Sequence, residues 1–293
     1  MNLNQEELMK EVARIRILTR HLLDDRLAGD YASTFKGQGI TFEEARPYQP
    51  GDDVRAIDWN VTARTLVPYI KRFSEERQLT VLFAVDVSGS QAFGTGARTK
   101  LERAAELTAL LAMVALRNQD NVGLLTFSDR ILTHLPPRKG RTAVLRLIRE
   151  LLATQETHQG TNIREALRFL TATQRRRAVI FLISDFQAAD YEPALVPFAH
   201  RHDLIACRIT DPAELTLPNL GLVELWDPET HTTQLVDTRS RATREAYATA
   251  AATQRAAQTS FFKRHGIDLL DVTTDKPYAS AVRSLFERRR GRG

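Results

Sequence analysis

Asp86, Ser88 and Ser90 place three oxygen-bearing side chains at every second position, directly after the apolar run Leu79-Thr-Val-Leu-Phe-Ala-Val85. Carboxylate and hydroxyl oxygens grouped in this way suit a small hard cation, Mg²⁺ first and Mn²⁺ or Ca²⁺ after it, because such ions take oxygen ligands and Mg²⁺ keeps several waters. With no Cys or His among them, the chemistry turns away from zinc and copper. Two more polar positions punctuate apolar stretches. Thr161 lies in Gly160-Thr-Asn162, just ahead of the helical Ile163-Arg-Glu-Ala-Leu167, and Asp185 closes Ala178-Val-Ile-Phe-Leu-Ile-Ser184. Taken singly, Thr161 reads as a helix cap and Asp185 as a turn residue.

The elements that must position these groups follow from the hydrophobic pattern. Residues 79–86 fit a buried strand with Thr80, Leu82, Ala84 and Asp86 on one face and Val81, Phe83 and Val85 on the other, so polarity begins where the strand leaves the core. Further strands are expected at 121–127, 177–184, 204–210 and 267–272, with 130–135 as a hairpin partner of the second. Between them, helical patterns fit 101–116, 141–152, 162–173, 191–202, 241–264 and 278–289. Such alternation predicts an α/β fold, a doubly wound, mostly parallel sheet flanked by helices. Ligands of these sheets bind at the carboxyl ends of the strands.

Three domain-level segments are expected. Residues 1–30 carry an amphipathic helix over 5–27, with Leu8, Val12, Ile15, Leu18, Leu22 and Leu23 at spacings of three and four. Residues 31–78 are punctuated by Gly37, Gly39, Pro47, Pro50 and Gly51 and read as a small β-rich module. Residues 79–290 form the main domain. Its insert at 211–238 contains two strand-like pieces, 222–226 and 232–236, and is expected to pack beside the small module as one β-rich appendage.

Composition excludes several classes of function. Lys plus Arg exceed Asp plus Glu by 41 to 36, and four of those arginines crowd into Glu287–Gly293; without aromatics interleaved among basic residues, this reads as a solvated tail and not as a nucleic-acid surface. The single cysteine, Cys207, lies in an apolar run and fits a reducing compartment. No stretch approaches the ~18 apolar residues of a spanning helix, so a cytoplasmic protein without a membrane span is expected. His200 and His202 flank Arg201 with no third nitrogen or thiol nearby, and read as surface residues.

Asp86, Ser88, Ser90, Thr161 and Asp185, in that order and each after the appropriate element, resemble the von Willebrand factor A domain with its metal-ion-dependent adhesion site. The resemblance implies that Ser88, Ser90 and Thr161 bind the ion directly while Asp86 and Asp185 act through waters or as charge. So few anionic ligands would leave the cation under-neutralised, open to an acidic side chain donated by a protein partner. A phosphatase of the haloacid dehalogenase type also places an aspartate after its first strand, but needs a second acid two residues on, where this chain has Ser88. A Mg²⁺-assisted phosphoester hydrolase and a structural adaptor with a vestigial site are therefore the alternatives to a non-catalytic interaction module.

A second resemblance is denser. Gly37-Gln-Gly-Ile-Thr-Phe42, Arg46-Pro-Tyr-Gln-Pro-Gly-Asp-Asp-Val-Arg55, Ala56-Ile-Asp-Trp-Asn60 and later pieces such as Ser184-Asp-Phe186 look like the bacterial family catalogued as domain of unknown function 58. Membership implies work with an AAA+ ATPase of the MoxR type, in a chaperone-like system that assembles or activates other proteins. Within this segment Asp52, Asp53, Arg55 and Asp58 crowd beside Trp59, and Arg46, Arg55 or Arg64 is expected to answer Asp53 or Asp58.

Overall fold

The computed structural model describes residues 5–35, 39–76, 78–154, 160–227 and 232–291. Gly37, Gln38 and the arginine at 292 therefore lie outside the described residues. Two helices open the chain, α1 (Gln5–Leu22) and α2 (Asp25–Thr34). The amphipathic pattern alone predicts one helix over 5–27. The break comes from Asp24, whose carboxylate accepts the Leu27 N–H at 2.7 Å and starts a second helix. Next come β1 (Gly39–Pro47), α3 (Trp59–Thr65) and β2 (Tyr69–Glu76).

Contacts divide the chain into two compact units, Phe35–Leu79 and the remainder. In the small unit β1 and β2 pair antiparallel from Gly39 opposite Glu76 to Pro47 opposite Tyr69, with a register shift between Phe42 and Glu44. Asp58 starts α3 by accepting the N–H groups of Asn60 and Val61, and Leu66 ends it in the left-handed region at φ 58°. Arg46 forms a bidentate pair with Asp52, at 2.9 and 2.7 Å. Asp53 accepts the Arg55 N–H at 2.9 Å and caps a short 3₁₀ turn. The charge cluster is thus resolved by capping at Asp53 and Asp58 and by the pairing of Arg46 with Asp52.

The large unit continues with β3 (Thr80–Asp86), α4 (Lys100–Arg117), β4 (Asn121–Phe127), β5 (Ile131–Arg138), α5 (Arg141–Ala153) and α6 (Ile163–Thr173). Then follow β6 (Val179–Ser184), α7 (Glu192–Arg201), β7 (Asp203–Thr210), β8 (Leu222–Asp227), β9 (Thr232–Asp237), α8 (Arg241–Arg264), β10 (Asp268–Thr273) and α9 (Ala279–Arg290). Six strands form one sheet in the order β10-β7-β6-β3-β4-β5. All pairings are parallel except β4 with β5, the expected hairpin at the edge. The β8–β9 hairpin is a separate two-stranded sheet and groups with the large unit.

Strand alternation sorts the core. Leu82, Ala84, Leu125, Phe127, Ile180, Leu182, Leu204 and Ala206 pack with Ile163, Leu167 and Leu170 of α6, Leu195 and Phe198 of α7 and Phe262 of α8. Each fully buried Leu, Ile or Phe among them contributes ~1.5–3 kcal/mol. Phe83 and Phe181, which alternate to the opposite face, stack with centroids 5.5 Å apart. Helix α4 is rich in Ala and Leu, good helix formers, and begins with a capping box between Thr99 and Glu102. It lies against β3, β4 and β7, with α1 resting on α4 and α5. Gly123 on β4 is dictated by packing, since a Cβ there would fall 2.6 Å from a Leu82 methyl and 2.8 Å from the Leu135 carbonyl oxygen.

Two expectations about surface residues fail here. His202 is buried: it caps the carboxyl end of α7 and packs on Phe198 at 4.6 Å between ring centroids. The C-terminal arginines are also engaged, since α9 runs to Arg290 and Arg289 donates to Asp203 at 2.5 Å and Asp268 at 2.8 Å. No helix among the described residues is long and apolar enough to cross a membrane.

Candidate metal centre

Asp86 ends β3 and Asp185 follows β6; these strands are direct neighbours in the sheet, so the two carboxylates emerge side by side at its carboxyl edge. Between β3 and α4 the chain makes a 3₁₀ turn over Gly89–Ala92, which carries Ser90 back over the strand end. Asn162 takes the capping task at the start of α6, accepting the Glu165 N–H at 3.0 Å. The Thr161 hydroxyl is thereby released, and it donates to Ser88 Oγ at 2.7 Å.

All five residues meet. Ser88 Oγ and Ser90 Oγ are 3.2 Å apart, and Ser90 Oγ donates to Asp185 Oδ2 at 2.8 Å. Asp86 Oδ1 accepts the Ser88 N–H at 3.0 Å, and its Oδ2 accepts the Ser184 hydroxyl at 2.6 Å. Asp86 and Ser88 are fully buried and Asp185 nearly so, whereas Ser90 and Thr161 are half-buried and form the open side. Burial, reinforced by the adjacent Asp185 charge, pushes the Asp86 carboxyl up to about 7 against the opposing hydrogen bonds from Ser184 and Ser88. A carboxylate so deprived of water gains from any cation brought beside it.

The donor set fits a hard divalent ion. It consists of oxygen alone, and among the described residues no cluster of three or more His, Cys, Asp or Glu offers a different kind of centre. Neighbouring ligands of an octahedral Mg²⁺ with bonds of ~2.1 Å stand ~3 Å apart. The successive spacings from Thr161 to Ser88, Ser90 and Asp185, 2.7, 3.2 and 2.8 Å, are of that size. The hydroxyls can therefore exchange their mutual hydrogen bonds for a shared cation with little rearrangement.

Two further residues belong to the centre. Lys100, the first residue of α4 and fully buried, donates to Asp185 Oδ2 at 2.7 Å and also to Glu214 Oε1. Burial by itself would depress the Lys100 ammonium, but Asp185 and Glu214 outweigh it and hold its pKa above the ordinary lysine value. Burial raises the Glu214 carboxyl despite Lys100. Sequence reading passes over both. A signal for Lys100 does exist, since a cation at the first position of a helix opposes the helix dipole and so calls for a nearby acid. Glu214 sits in a 3₁₀ turn after β7, and its spacing from Asp211 marks a capping box and not a partner for Lys100.

The loop at Gly94-Thr-Gly96 follows the 3₁₀ turn. Gly94 is required by close approach, because a Cβ would lie 2.5 Å from the Arg98 carbonyl oxygen. Thr95 donates through N–H and hydroxyl to Asp211, at 3.0 and 2.6 Å. This ties the loop after the site to the turn that carries Glu214.

Sheet order with one antiparallel edge strand, helices around the sheet and polar residues at the carboxyl ends of its central strands define a von Willebrand factor A-like α/β protein. A family model described as "Protein of unknown function DUF58" matches residues 44–257, and the chain belongs to that family. The uncharacterized protein Rv1480 of Mycobacterium tuberculosis is 31% identical over 294 residues, covering 99% of this chain and 92% of the relative. Among solved structures, BatB from Bacteroides thetaiotaomicron is 17% identical with a TM-score of 0.48, covering 72% of this chain and 98% of that one. The SpRpn10 VWA domain is 9% identical with a TM-score of 0.39, covering 70% and 93%.

Proposed function

We propose that Ser88, Ser90 and Thr161, with Asp86 and Asp185 behind them, hold a hard divalent cation, Mg²⁺ first, and that this cation docks an acidic side chain of a protein partner. One observation carries the reading: an unbroken run of close oxygen contacts from Thr161 through Ser88 and Ser90 to Asp185. When bound, the ion would supply a positive centre with room for a further oxygen ligand. Access would be from the side of Ser90, which shares a depression with Phe93, Glu214 and Trp226. The aromatic flanks suit a protein ligand, because Phe93 and Trp226 are 43% and 52% exposed and present apolar area around a charged contact.

The module acts by binding and not by turnover on this reading, since Ser88 stands where a phosphatase of similar architecture places its general acid. The family resemblance points to an AAA+ ATPase of the MoxR type as partner and to assembly or activation of other proteins as the task. The test is a pull-down from native extract with and without chelator, using the wild type and Asp86→Ala. Partner recovery that needs both the cation and Asp86 supports the proposal. Equal recovery from the variant, with its cation site verified empty, overturns it.

A further inference from the structure

We infer that Lys100 is a built-in counter-cation that sets how tightly the strand-end centre binds its divalent ion, acting through Asp185 and balanced by Glu214. This rests on the cation-binding reading above and adds to it a positioning residue and its sign. An ammonium fully withdrawn from water at the start of a helix is costly on two counts, desolvation and the helix dipole. It is offset only where acids stand close, and here Asp185 is 2.7 Å away, with Glu214 bonded to the same nitrogen. The arrangement fixes what Asp185 can do. Its Oδ2 accepts from both Lys100 and Ser90, and its Oδ1 accepts the Gln187 N–H at 3.1 Å. With both oxygens engaged, Asp185 serves as an acceptor that turns the Ser90 proton away from the cluster and leaves a Ser90 lone pair free for a cation.

The charges then set the strength. Asp185 and Glu214 face one ammonium, so removing Lys100 adds one negative charge to the field felt by the ion, and neutralising Glu214 subtracts one. The two changes must act in opposite directions, which a purely structural ion pair would not require. Glu214 also lines the depression that reaches Ser90, so the balance extends to the face where a partner would dock.

The experiment is a titration of the full chain at pH 8 with Mn²⁺, followed by electron paramagnetic resonance, on wild type, Lys100→Met and Glu214→Gln, with melting in chelator to verify folding. We expect Lys100→Met to bind Mn²⁺ about tenfold more tightly and Glu214→Gln about tenfold more weakly. Unchanged affinity in Glu214→Gln, or unchanged or weaker affinity in a folded Lys100→Met, overturns the inference. Should Lys100→Met fail to fold, Glu214→Gln decides alone. A wild type that binds no Mn²⁺ overturns the cation reading itself, which separates the two failures.

Discussion

Asp86 and Asp211 are both fully buried carboxylates at the carboxyl edge of one sheet, yet their surroundings push them in opposite directions. Asp211, just after β7, is burdened first by desolvation, but it accepts from the Thr95 N–H and hydroxyl, the Thr274 hydroxyl and the Ala213 N–H, and its pKa is held below the ordinary aspartate value. Asp86 has fewer donors and a second carboxylate beside it, and is raised to about 7. The difference separates two uses of a buried acid. Asp211 is satisfied by the protein and acts as a clamp between three loops. Asp86 is left with a charge that the protein does not balance, in a nest of hydroxyls spaced like the ligands of a small ion. Burial alone does not mark a functional carboxylate; the donors around it do.

The largest effect should come from breaking the clamp. Asp211→Ala removes a charged acceptor and strands several donors, at a cost of about 4 kcal/mol of folding stability, read as a lowered urea midpoint. Mn²⁺ affinity, measured in urea-free buffer, should change less than the stability does. Stability close to that of the wild type would dissolve the contrast.

Next in size is Asp86→Ala, which should weaken divalent-cation binding at least about a hundredfold, or ~2.7 kcal/mol. Its metal-free melting temperature should fall less than that of Asp211→Ala, because removing a desolvated, repelled charge offsets the loss of the acceptor for the Ser88 N–H and the Ser184 hydroxyl. A variant that melts much earlier in chelator would show that Asp86, like Asp211, is a structural clamp.

A third buried group tests burial without donors. His202 is 2% exposed, neither ring nitrogen has a hydrogen-bond partner among the described residues, and desolvation, helped by Arg201 and Arg177, lowers its pKa from 6.5 to about 4. The unfolded chain thus binds the proton more readily between these values, so this contribution is complete above pH 6.5 and is lost as pH falls toward 4. The loss is on the order of 3 kcal/mol. His202→Phe should flatten this part of the pH profile; comparing midpoints at pH 7.5 and 4.5 within each protein cancels any packing change. An unaltered acid slope in the variant would place the acid lability elsewhere.

Much of this was legible from the residue pattern, for an identifiable reason. Strands β3 and β6 are buried on both faces, so their apolar runs stop where the core stops, and the polar residues that follow can only stand at the sheet edge. That rule alone brings Asp86 and Asp185 together, and the 3₁₀ turn and the loop before α6 bring in Ser90 and Thr161. What the pattern could not show depends on partners distant in sequence. Lys100 and Glu214 are 114 positions apart and meet only because β7 lies one strand beyond β6. Arg289 looks like part of a basic tail until β7 and β10 present Asp203 and Asp268 to it. The break between α1 and α2 turns on one side-chain cap, which an amphipathic stripe does not register.

The smallest effect tests the outer wall of the centre. Thr161 contributes one hydroxyl from a half-buried position, and Asn162 already caps α6, so the backbone does not depend on it. Thr161→Val keeps the shape and removes one hydroxyl oxygen and one donor to Ser88. Mn²⁺ affinity should fall about tenfold, or ~1.4 kcal/mol, with melting in chelator shifted by little. Thr161→Ser, which restores the oxygen without the methyl group, should recover most of the affinity. If valine and serine behave alike, Thr161 is a spacer, and the centre reduces to the residues on β3, its turn and β6. If only serine recovers binding, the hydroxyl itself is the ligand, and the contrast between a satisfied acid at 211 and an open one at 86 holds through to the outermost oxygen of the site.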